Sequence, residues 1–147
     1  MLKILVIHGP NLNLLGTREP GIYGRQTLKD INARLLKEAK DRDVSLTAVQ
    51  TNSEGEIITL LQKARGKFDG IIINPAAFTH YSYAIYDTIL AIGIPTIEVH
   101  LSNIHKREEF RRKSVIAPAC LGQICGFGFR SYLLALSVLI DIIKEKK

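Results

Sequence analysis

Polar side chains with acid, base and anion-binding chemistry follow several short apolar runs of this sequence. The first group lies in the stretch HGPNLNLLGTREPGIYG (8–24), which comes directly after the apolar run Leu2–Ile7 and contains Asn11, Arg18 and Tyr23. A connection between a strand and a helix usually takes only a few residues. This stretch is longer than a connection requires, and we expect it to contribute to a site.

A second group of polar residues follows two later apolar runs, Gly70–Asn74 and Ile94–His100. If both runs are parallel strands, their carboxyl ends meet at one edge of a sheet, where ligands bind in open α/β folds. Polar residues without a shared role would be expected at both ends of the strands rather than at the carboxyl ends alone. The residues of this group are Asn74, Thr79, His80, His100, Ser102, Asn103, Arg107 and Arg111.

Several of these residues also have purely structural interpretations. Asn74 precedes a proline and is a good turn former, and His80 could be an ordinary surface histidine. Glu98 shares its strand face with His100, so it could orient the imidazole or pair with a cation. The sequence alone leaves these alternatives open.

The positive charge of the chain, +6 at neutral pH, has a similar ambiguity. Arg107 and Arg111 fall one helical turn apart and could bind an anion or form solvated ion pairs. Binding of nucleic acid is disfavoured because aromatic residues do not alternate with the lysines as a stacking surface requires. A small acidic substrate suits a basic protein.

Motifs for metals and nucleotides are not found in the sequence. His100 and His105 do not have the spacing of helical metal ligands. The first loop has neither G-x-G-x-x-G nor a lysine followed by serine or threonine after its last glycine, which argues against a phosphate cradle. Cys120 and Cys125 are not spaced as a zinc pair, and we expect buried free thiols.

Strand-like and helix-like segments alternate along the whole chain. Capping boxes of the form S/T-x-x-D/E at Thr27 and Ser53 each precede apolar residues at helical spacing. The predicted strands are Leu2–Ile7, Leu46–Gln50, Gly70–Asn74, Ile94–His100 and Cys120–Cys125. The predicted helices begin behind Thr27 and Ser53, and then span Tyr83–Ala91, Glu108–Lys113 and Phe129–Lys144.

This alternation predicts an α/β fold: a flavodoxin-like, doubly wound, five-stranded parallel sheet in three layers. The chain has 147 residues, of which 46% are hydrophobic, so we expect a single catalytic domain over residues 1–147. The apolar runs are too short for a membrane span or a signal peptide. We therefore expect a cytoplasmic protein.

Five stretches together resemble the type II 3-dehydroquinate dehydratase family. They are GPNLNLLGTREPGIYG (9–24), TNSEGE (51–56), INPAAFTHYS (73–82), EVHLSNIHKREEFR (98–111) and GQICGFG (122–128). They occur in the family's order and spacing over nearly the whole chain, and the first and fourth are highly specific.

The resemblance implies a lyase that removes water from 3-dehydroquinate to give 3-dehydroshikimate, in the shikimate pathway or in quinate breakdown. It implies no metal, no organic cofactor and no Schiff-base lysine. It also implies a flavodoxin-like fold, in agreement with the alternation of elements, and a homo-oligomer, usually a dodecamer of four trimers. No nucleic acid and no membrane are implied as partners.

Catalytic roles follow from the resemblance, residue by residue. Tyr23 matches the base that takes a proton from the carbon beside the substrate ketone, and Arg18 matches the arginine next to it on a mobile lid. Asn11 matches the residue that stabilises the enolate through a water. His100 matches the acid that protonates the departing hydroxyl, and Asn74 matches the residue that positions both substrate and histidine.

Substrate-binding roles follow in the same way. Leu101 and Ser102 match the backbone and hydroxyl site for the substrate carboxylate. His80 and Arg111 match the groups that bind substrate hydroxyls, and Asp87 matches an aspartate that reaches the site of a neighbouring subunit.

The chemistry implied for these residue types is reasonable. A tyrosine hydroxyl is a poor base near neutral pH unless a nearby cation favours the phenolate, and Arg18 lies on the same loop as Tyr23. Arginine stays charged at any working pH. Histidine suits the second proton transfer because imidazole titrates near neutral pH.

Departures from the family pattern are modest: Ala76 stands where many members have glycine, Phe78 where tyrosine is common, and Lys113 in place of a frequent histidine. None removes a catalytic group. Competing functions on the same fold are a flavin- or nucleotide-binding module, disfavoured by the missing phosphate loop, and a non-catalytic oligomeric scaffold. A scaffold would tolerate the loss of Tyr23 and Arg18 together, yet both are present here with His100 and Asn11.

Overall fold

A parallel sheet forms the centre of the structure, a computed structural model that describes residues 1–17 and 19–146, and within these residues the sheet has five strands. The strand order is β2-β1-β3-β4-β5, and every neighbouring pair is parallel. The strands are β1 (Leu2–His8), β2 (Val44–Gln50), β3 (Gly70–Asn74), β4 (Thr96–His100) and β5 (Gly122–Cys125). The predicted flavodoxin-like sheet is confirmed.

Helices cover both faces of the sheet. They are α1 (Pro20–Tyr23), α2 (Leu28–Asp41), α3 (Glu54–Lys63), α4 (Tyr83–Ile92) and α5 (Arg130–Glu145). Helices α2 and α5 pack together on one face, and α3 and α4 pack together on the other. Short 3-10 turns occupy Leu12–Leu14, Ala76–His80, Ile104–Lys106, Glu109–Arg111 and Ala117–Ala119.

Alternation along the central strands builds two separate cores. In β1, Ile4 and Val6 belong to the core under α2 and α5, whereas Leu5 and Ile7 belong to the core under α3 and α4. Successive side chains of a strand point to opposite faces, and a sheet buried on both faces therefore needs apolar residues at every position. Burial on both faces therefore explains the near-continuous apolar runs of the sequence.

Side-chain caps fix the starts of α2 and α3, as the sequence predicted in part. Thr27 and Asp30 form the complete capping box at α2, in which each side chain accepts from the other residue's backbone N–H. At α3 the Ser53 hydroxyl accepts from the Glu56 N–H, but the Ser53 N–H donates to the Thr51 hydroxyl instead of the Glu56 carboxylate. Only half of the second capping box is therefore made.

Element boundaries differ from the prediction by one or two residues at several ends. Strand β4 starts at Thr96 rather than at Ile94, because the proline at position 95 has no N–H to donate to a neighbouring strand. The predicted helix Glu108–Lys113 is only a 3-10 turn over Glu109–Arg111. No helix in residues 1–17 and 19–146 is long and apolar enough to cross a bilayer.

The two cysteines are free and half-buried. Burial raises the pKa of the Cys120 thiol to about 12, with a smaller contribution from the charge of Glu98. A thiol in this state is inert, since the thiolate is the nucleophile. The prediction of free thiols is confirmed, although both remain partly accessible.

Candidate active site

A cavity of about 130 Å³ opens at the carboxyl edge of the sheet, above β1, β3 and β4. Strands β1 and β3 flank the point where the strand order reverses, and open α/β sheets bind ligands at such a point. The residues that line the cavity are Pro10, Asn11, Leu12, Leu15, Tyr23, Asn74, Ala76, Ala77, His80, His100, Leu101, Ser102, Ile104, Arg107 and Arg111.

Of the ten residues to which the resemblance gives a catalytic or substrate-binding role, all those other than Asp87 and Arg18 line this cavity. Asp87 does not: it lies on α4 beside a separate surface cavity lined by Gln62 and Arg65, so within one chain it is away from the other site residues. Arg18 lies outside the residues that the structure describes. The polar residues directly after β2, at positions 51–53, do not line the cavity either. Asn52 instead accepts a hydrogen bond from the Asn11 N–H in the first loop.

The first loop crosses directly over the end of β3. The Gly9 N–H donates to the Asn74 carbonyl oxygen at 2.7 Å, and a Cβ at Gly9 would lie 2.8 Å from the Pro75 carbonyl carbon. Only glycine permits this approach. Further on, Asn11 adopts the left-handed conformation, with φ of 67°, and its N–H donates to the Asn52 side-chain oxygen. This geometry holds Asn11 at the cavity.

Tyr23 ends the single helical turn α1 and projects to the cavity beside a cation. The Arg107 guanidinium carbon lies 5.1 Å from the centre of the Tyr23 ring, a cation–π distance. The Arg107 side chain is only 12% exposed, and its Nε lies 3.7 Å from the Glu108 carboxylate. The sequence marked Arg107 as an anion-binding candidate but gave no reason to place it against Tyr23.

His100 and Glu98 form a buried pair on one face of β4. The His100 Nε2 lies 2.6 Å from Glu98 Oε2, and the glutamate is fully buried. Gln123 donates to the same oxygen and the Ser114 hydroxyl donates to Oε1. Burial raises the pKa of Glu98, but the hydrogen bond from His100, the charge of that ring and the bonds from Gln123 and Ser114 outweigh it and lower the pKa overall. The carboxylate therefore stays charged and orients the imidazole, one of the two interpretations left open by the sequence.

His80 and Arg111 also line the cavity, and each side chain is oriented by a hydrogen bond. The His80 Nδ1 donates to the Lys113 carbonyl oxygen at 2.8 Å, which leaves Nε2 as an acceptor. Burial is the main cause of a lowered pKa at His80, and the nearby charges of His100 and Arg111 lower it further. The Arg111 Nε donates to Glu108 at 2.7 Å, so Arg111 both forms an ion pair and lines the cavity.

Asn74 has a defined amide orientation at the cavity floor. Its Oδ1 accepts from the Ala76 N–H at 3.1 Å, and its Nδ2 donates to the Tyr132 hydroxyl at 3.0 Å. Ala76 has a φ of 52°, in the left-handed region that favours glycine. The family resemblance places a glycine in many members at this position, and the backbone conformation accounts for that preference.

A buried polar chain behind Asn74 was not predicted from the sequence. His8, at the end of β1, contacts the Tyr132 hydroxyl through Nδ1 at 2.9 Å and the Asn32 side-chain oxygen through Nε2 at 2.8 Å. His8 and Tyr132 are both fully buried. The position of His8 at a strand end was the only signal in the sequence for this group. Its partners Asn32 and Tyr132 lie on helices 24 and 124 positions further along the chain.

His8 should make the protein sensitive to acid. Burial lowers the pKa of His8 to about 4, although the Asn32 hydrogen bond raises it, while an unfolded histidine titrates near 6.5. The unfolded chain therefore binds this proton first as pH falls, and the contribution of His8 to the free energy of unfolding should drop by about 3 kcal/mol between pH 7 and pH 4.

Urea denaturation at fixed protein concentration over that pH range measures this loss. The His8→Gln variant should lose less stability on acidification than the unchanged protein, because the titrating group is gone. His105→Gln, which alters an exposed histidine, is the matched control and should keep the full loss. Equal acid sensitivity in His8→Gln and His105→Gln would contradict the assignment.

No group of three or more histidine, cysteine, aspartate or glutamate side chains is positioned to hold a metal ion among residues 1–17 and 19–146. The polar groups at the cavity are instead a phenol, imidazoles, amides, a hydroxyl and guanidinium groups. Such a set can remove and supply protons and can bind hydroxyl and carboxylate groups.

Comparison with known protein sequences gives a consistent result. A family model described as dehydroquinase class II matches residues 2–140. A relative from Geotalea daltonii, named 3-dehydroquinate dehydratase, is 60% identical over 144 residues, which is 98% of this chain and 100% of the relative. A relative of the same name from Clostridium acetobutylicum is 55% identical over 144 residues, with the same coverage.

Solved structures with this architecture agree with the sequence comparison. The type II dehydroquinase from Butyrivibrio crossotus has a TM-score of 0.92 and 46% identity, and the match covers 94% of this chain and 97% of that one. The type II dehydroquinase from Propionibacterium acnes has a TM-score of 0.91 and 43% identity, over 95% and 96% of the two chains.

Proposed function

The chain belongs to the class II dehydroquinase family, the 3-dehydroquinate dehydratases, and we propose that it removes water from 3-dehydroquinate by an anti elimination through an enolate, with Tyr23 as base and His100 as acid. The observation that carries this proposal is that Tyr23 and His100 line the same cavity, each beside a charged partner. The whole chain acts as one catalytic domain.

The first step is removal of a proton by Tyr23. The phenolate takes the proton from the carbon next to the substrate ketone, and the electron pair moves to the ketone oxygen as an enolate. The Arg107 guanidinium lies 5.1 Å from the centre of the Tyr23 ring and places a fixed positive charge at this side of the cavity, which supports this role. Arg18 is proposed as a second cation on the evidence of the sequence resemblance alone.

Stabilisation of the enolate is assigned to Asn11, in the first loop. Asn11 lines the cavity and is held by its backbone bond to Asn52, so its side chain is available to orient a water toward the developing oxyanion. A donor that is fixed before the reaction stabilises a developing charge without further reorganisation. This supports the role that the resemblance gives to Asn11.

Protonation of the leaving hydroxyl by His100 completes the reaction. The Nε2 of His100 is bound to Glu98, which leaves Nδ1 as the nitrogen that delivers the proton. The enolate then re-forms the ketone, the bond from carbon to the hydroxyl breaks, and water leaves with a conjugated product. Glu98 remains ionised and stabilises the imidazolium before the transfer.

The remaining cavity residues bind the substrate in this proposal. The Leu101 backbone and the Ser102 hydroxyl, directly after β4, receive the carboxylate, while His80 and Arg111 bind ring hydroxyls. The free acceptor Nε2 of His80 suits a hydroxyl donor. Asn74 donates its remaining amide hydrogen to the substrate.

We also propose a homo-oligomer, a dodecamer of four trimers, in which Asp87 reaches the site of a neighbouring subunit. The position of Asp87 on α4, away from the cavity of its own chain, is compatible with that role. The same helix carries large exposed apolar side chains, among them Tyr83 at 68% and Leu90 at 54% exposure, as expected of a face covered by another subunit.

A direct assay tests the proposed function. The purified protein is incubated with 3-dehydroquinate, and the ultraviolet absorbance of the conjugated product should rise without any added metal or cofactor. Sodium borohydride added with substrate should leave the activity unchanged, because no lysine imine forms. Absence of turnover would refute the reaction, and inactivation by borohydride would refute the route through an enolate without an imine.

A further inference from the structure

We propose that Tyr132 is a positioning residue for this reaction: its hydroxyl, oriented by His8 and Asn32, holds the Asn74 amide in the single orientation that presents a donor to the substrate. The inference rests on the proposed function, in which Asn74 contacts the substrate. The juxtaposition that carries it is a continuous chain of four side chains from the cavity floor to helix α2.

Hydrogen-bond direction is fixed at the outer end of this chain. The Asn32 side-chain oxygen can only accept, so the His8 Nε2 must carry a hydrogen. In neutral imidazole the other nitrogen, Nδ1, is then an acceptor and takes the hydroxyl hydrogen of Tyr132. The low pKa of His8, about 4, keeps the ring neutral at working pH.

This direction determines what Tyr132 offers to Asn74. With its hydrogen donated to His8, the hydroxyl presents a lone pair, which accepts from Asn74 Nδ2. A flipped amide would place its oxygen against that lone pair and its NH₂ group against the Ala76 N–H, which already donates to Asn74 Oδ1. Both ends of the flipped amide would be repulsive, so the observed orientation is strongly preferred.

Packing alone does not explain these polar groups. Tyr132 and His8 are fully buried, and Asn74 is 2% exposed, within the core formed with α2 and α5. A phenylalanine at position 132 would fill the same space without requiring polar partners. Buried polar groups are costly unless every partner is in place, and here every partner is in place. We therefore assign these buried polar side chains the role of fixing the orientation of the Asn74 amide at the cavity.

A double-mutant cycle between Tyr132 and Asn74 tests the inference. Tyr132→Phe removes only the hydroxyl and should raise KM for 3-dehydroquinate by roughly five- to tenfold, the effect of one hydrogen bond. A smaller folded fraction would lower the apparent kcat but would leave KM unchanged. In the Asn74→Ala background, Tyr132→Phe should have no further effect, because the amide that it orients is absent.

Asn32→Ala provides a variant that leaves the buried core intact, since Asn32 is half-buried on α2. It frees the His8 tautomer and should raise KM by about threefold, again only when Asn74 is present. Lys29→Ala, an exposed position on the same helix, is the matched control and should leave KM unchanged.

Three results would overturn the inference: an unchanged KM in both Tyr132→Phe and Asn32→Ala, equal effects of Tyr132→Phe with and without Asn74, or full activity of Asn74→Ala. The last result would also remove the role given to Asn74. A wrong reaction would be visible separately, as absent turnover in the unchanged protein.

Discussion

Tyr23→Phe should lower kcat by about 10²-fold or more, because it removes the group proposed to take the proton in the first step. The substitution removes one oxygen and keeps the ring, so the 5.1 Å contact with the Arg107 guanidinium remains. Substrate binding should therefore change much less than turnover. Product absorbance under saturating 3-dehydroquinate measures kcat, and initial rates over a range of concentrations give KM.

Tyr81→Phe is the matched control for this experiment. Tyr81 precedes α4, is 58% exposed and is not among the residues that line the cavity. Its substitution should leave kcat unchanged. A rate for Tyr23→Phe within a fewfold of the unchanged protein would rule out Tyr23 as the base and would direct attention to His80, whose Nε2 is an acceptor at the cavity.

Glu98→Gln should lower kcat by about 10- to 100-fold, the range seen at metal sites when a hydrogen-bond partner that orients a functional histidine is removed. The amide can still accept, but it carries no charge to stabilise the imidazolium of His100. It also places an NH₂ group against a donor, either Gln123 or the Ser114 hydroxyl. A buried donor without a partner should cost about 1–3 kcal/mol of stability as well.

The loss of stability and the loss of turnover can be separated. Thermal denaturation gives the first, and kcat at a temperature well below unfolding gives the second. Glu56→Gln, which neutralises an exposed carboxylate on α3, should change neither quantity. Wild-type turnover in a stably folded Glu98→Gln protein would contradict the role of the buried carboxylate.

Most of the fold was predictable because local and global signals agree. The central strands are buried on both faces, so their apolar runs are continuous, and Thr27 marks the start of α2 with a complete capping box. The segment at Glu108 is different. Its charges fit a helical face, but they serve an ion pair with Arg111 and a bend at the cavity wall, so only a 3-10 turn forms.

The candidate site was predictable to the extent that strand ends and a family pattern locate it. Contacts between side chains on distant elements could not be predicted from the sequence. Arg107 against Tyr23 depends on how the first loop folds back over the cavity. The pairing of His8 with Tyr132 joins residues 124 positions apart in the chain. No spacing rule connects such residues, because sheet topology brings them together.

The alternation of β-strand side chains has a further consequence for which second-site mutations can compensate for a harmful substitution. Asn74 takes its support from the helical layer of α2 and α5, whereas Glu98 and His100 point to the opposite layer, toward Ser114. Second-site suppressors of a lesion in one layer should map to that layer. The two sets of supporting contacts lie on opposite faces of the sheet, although Asn74 and His100 meet at one cavity.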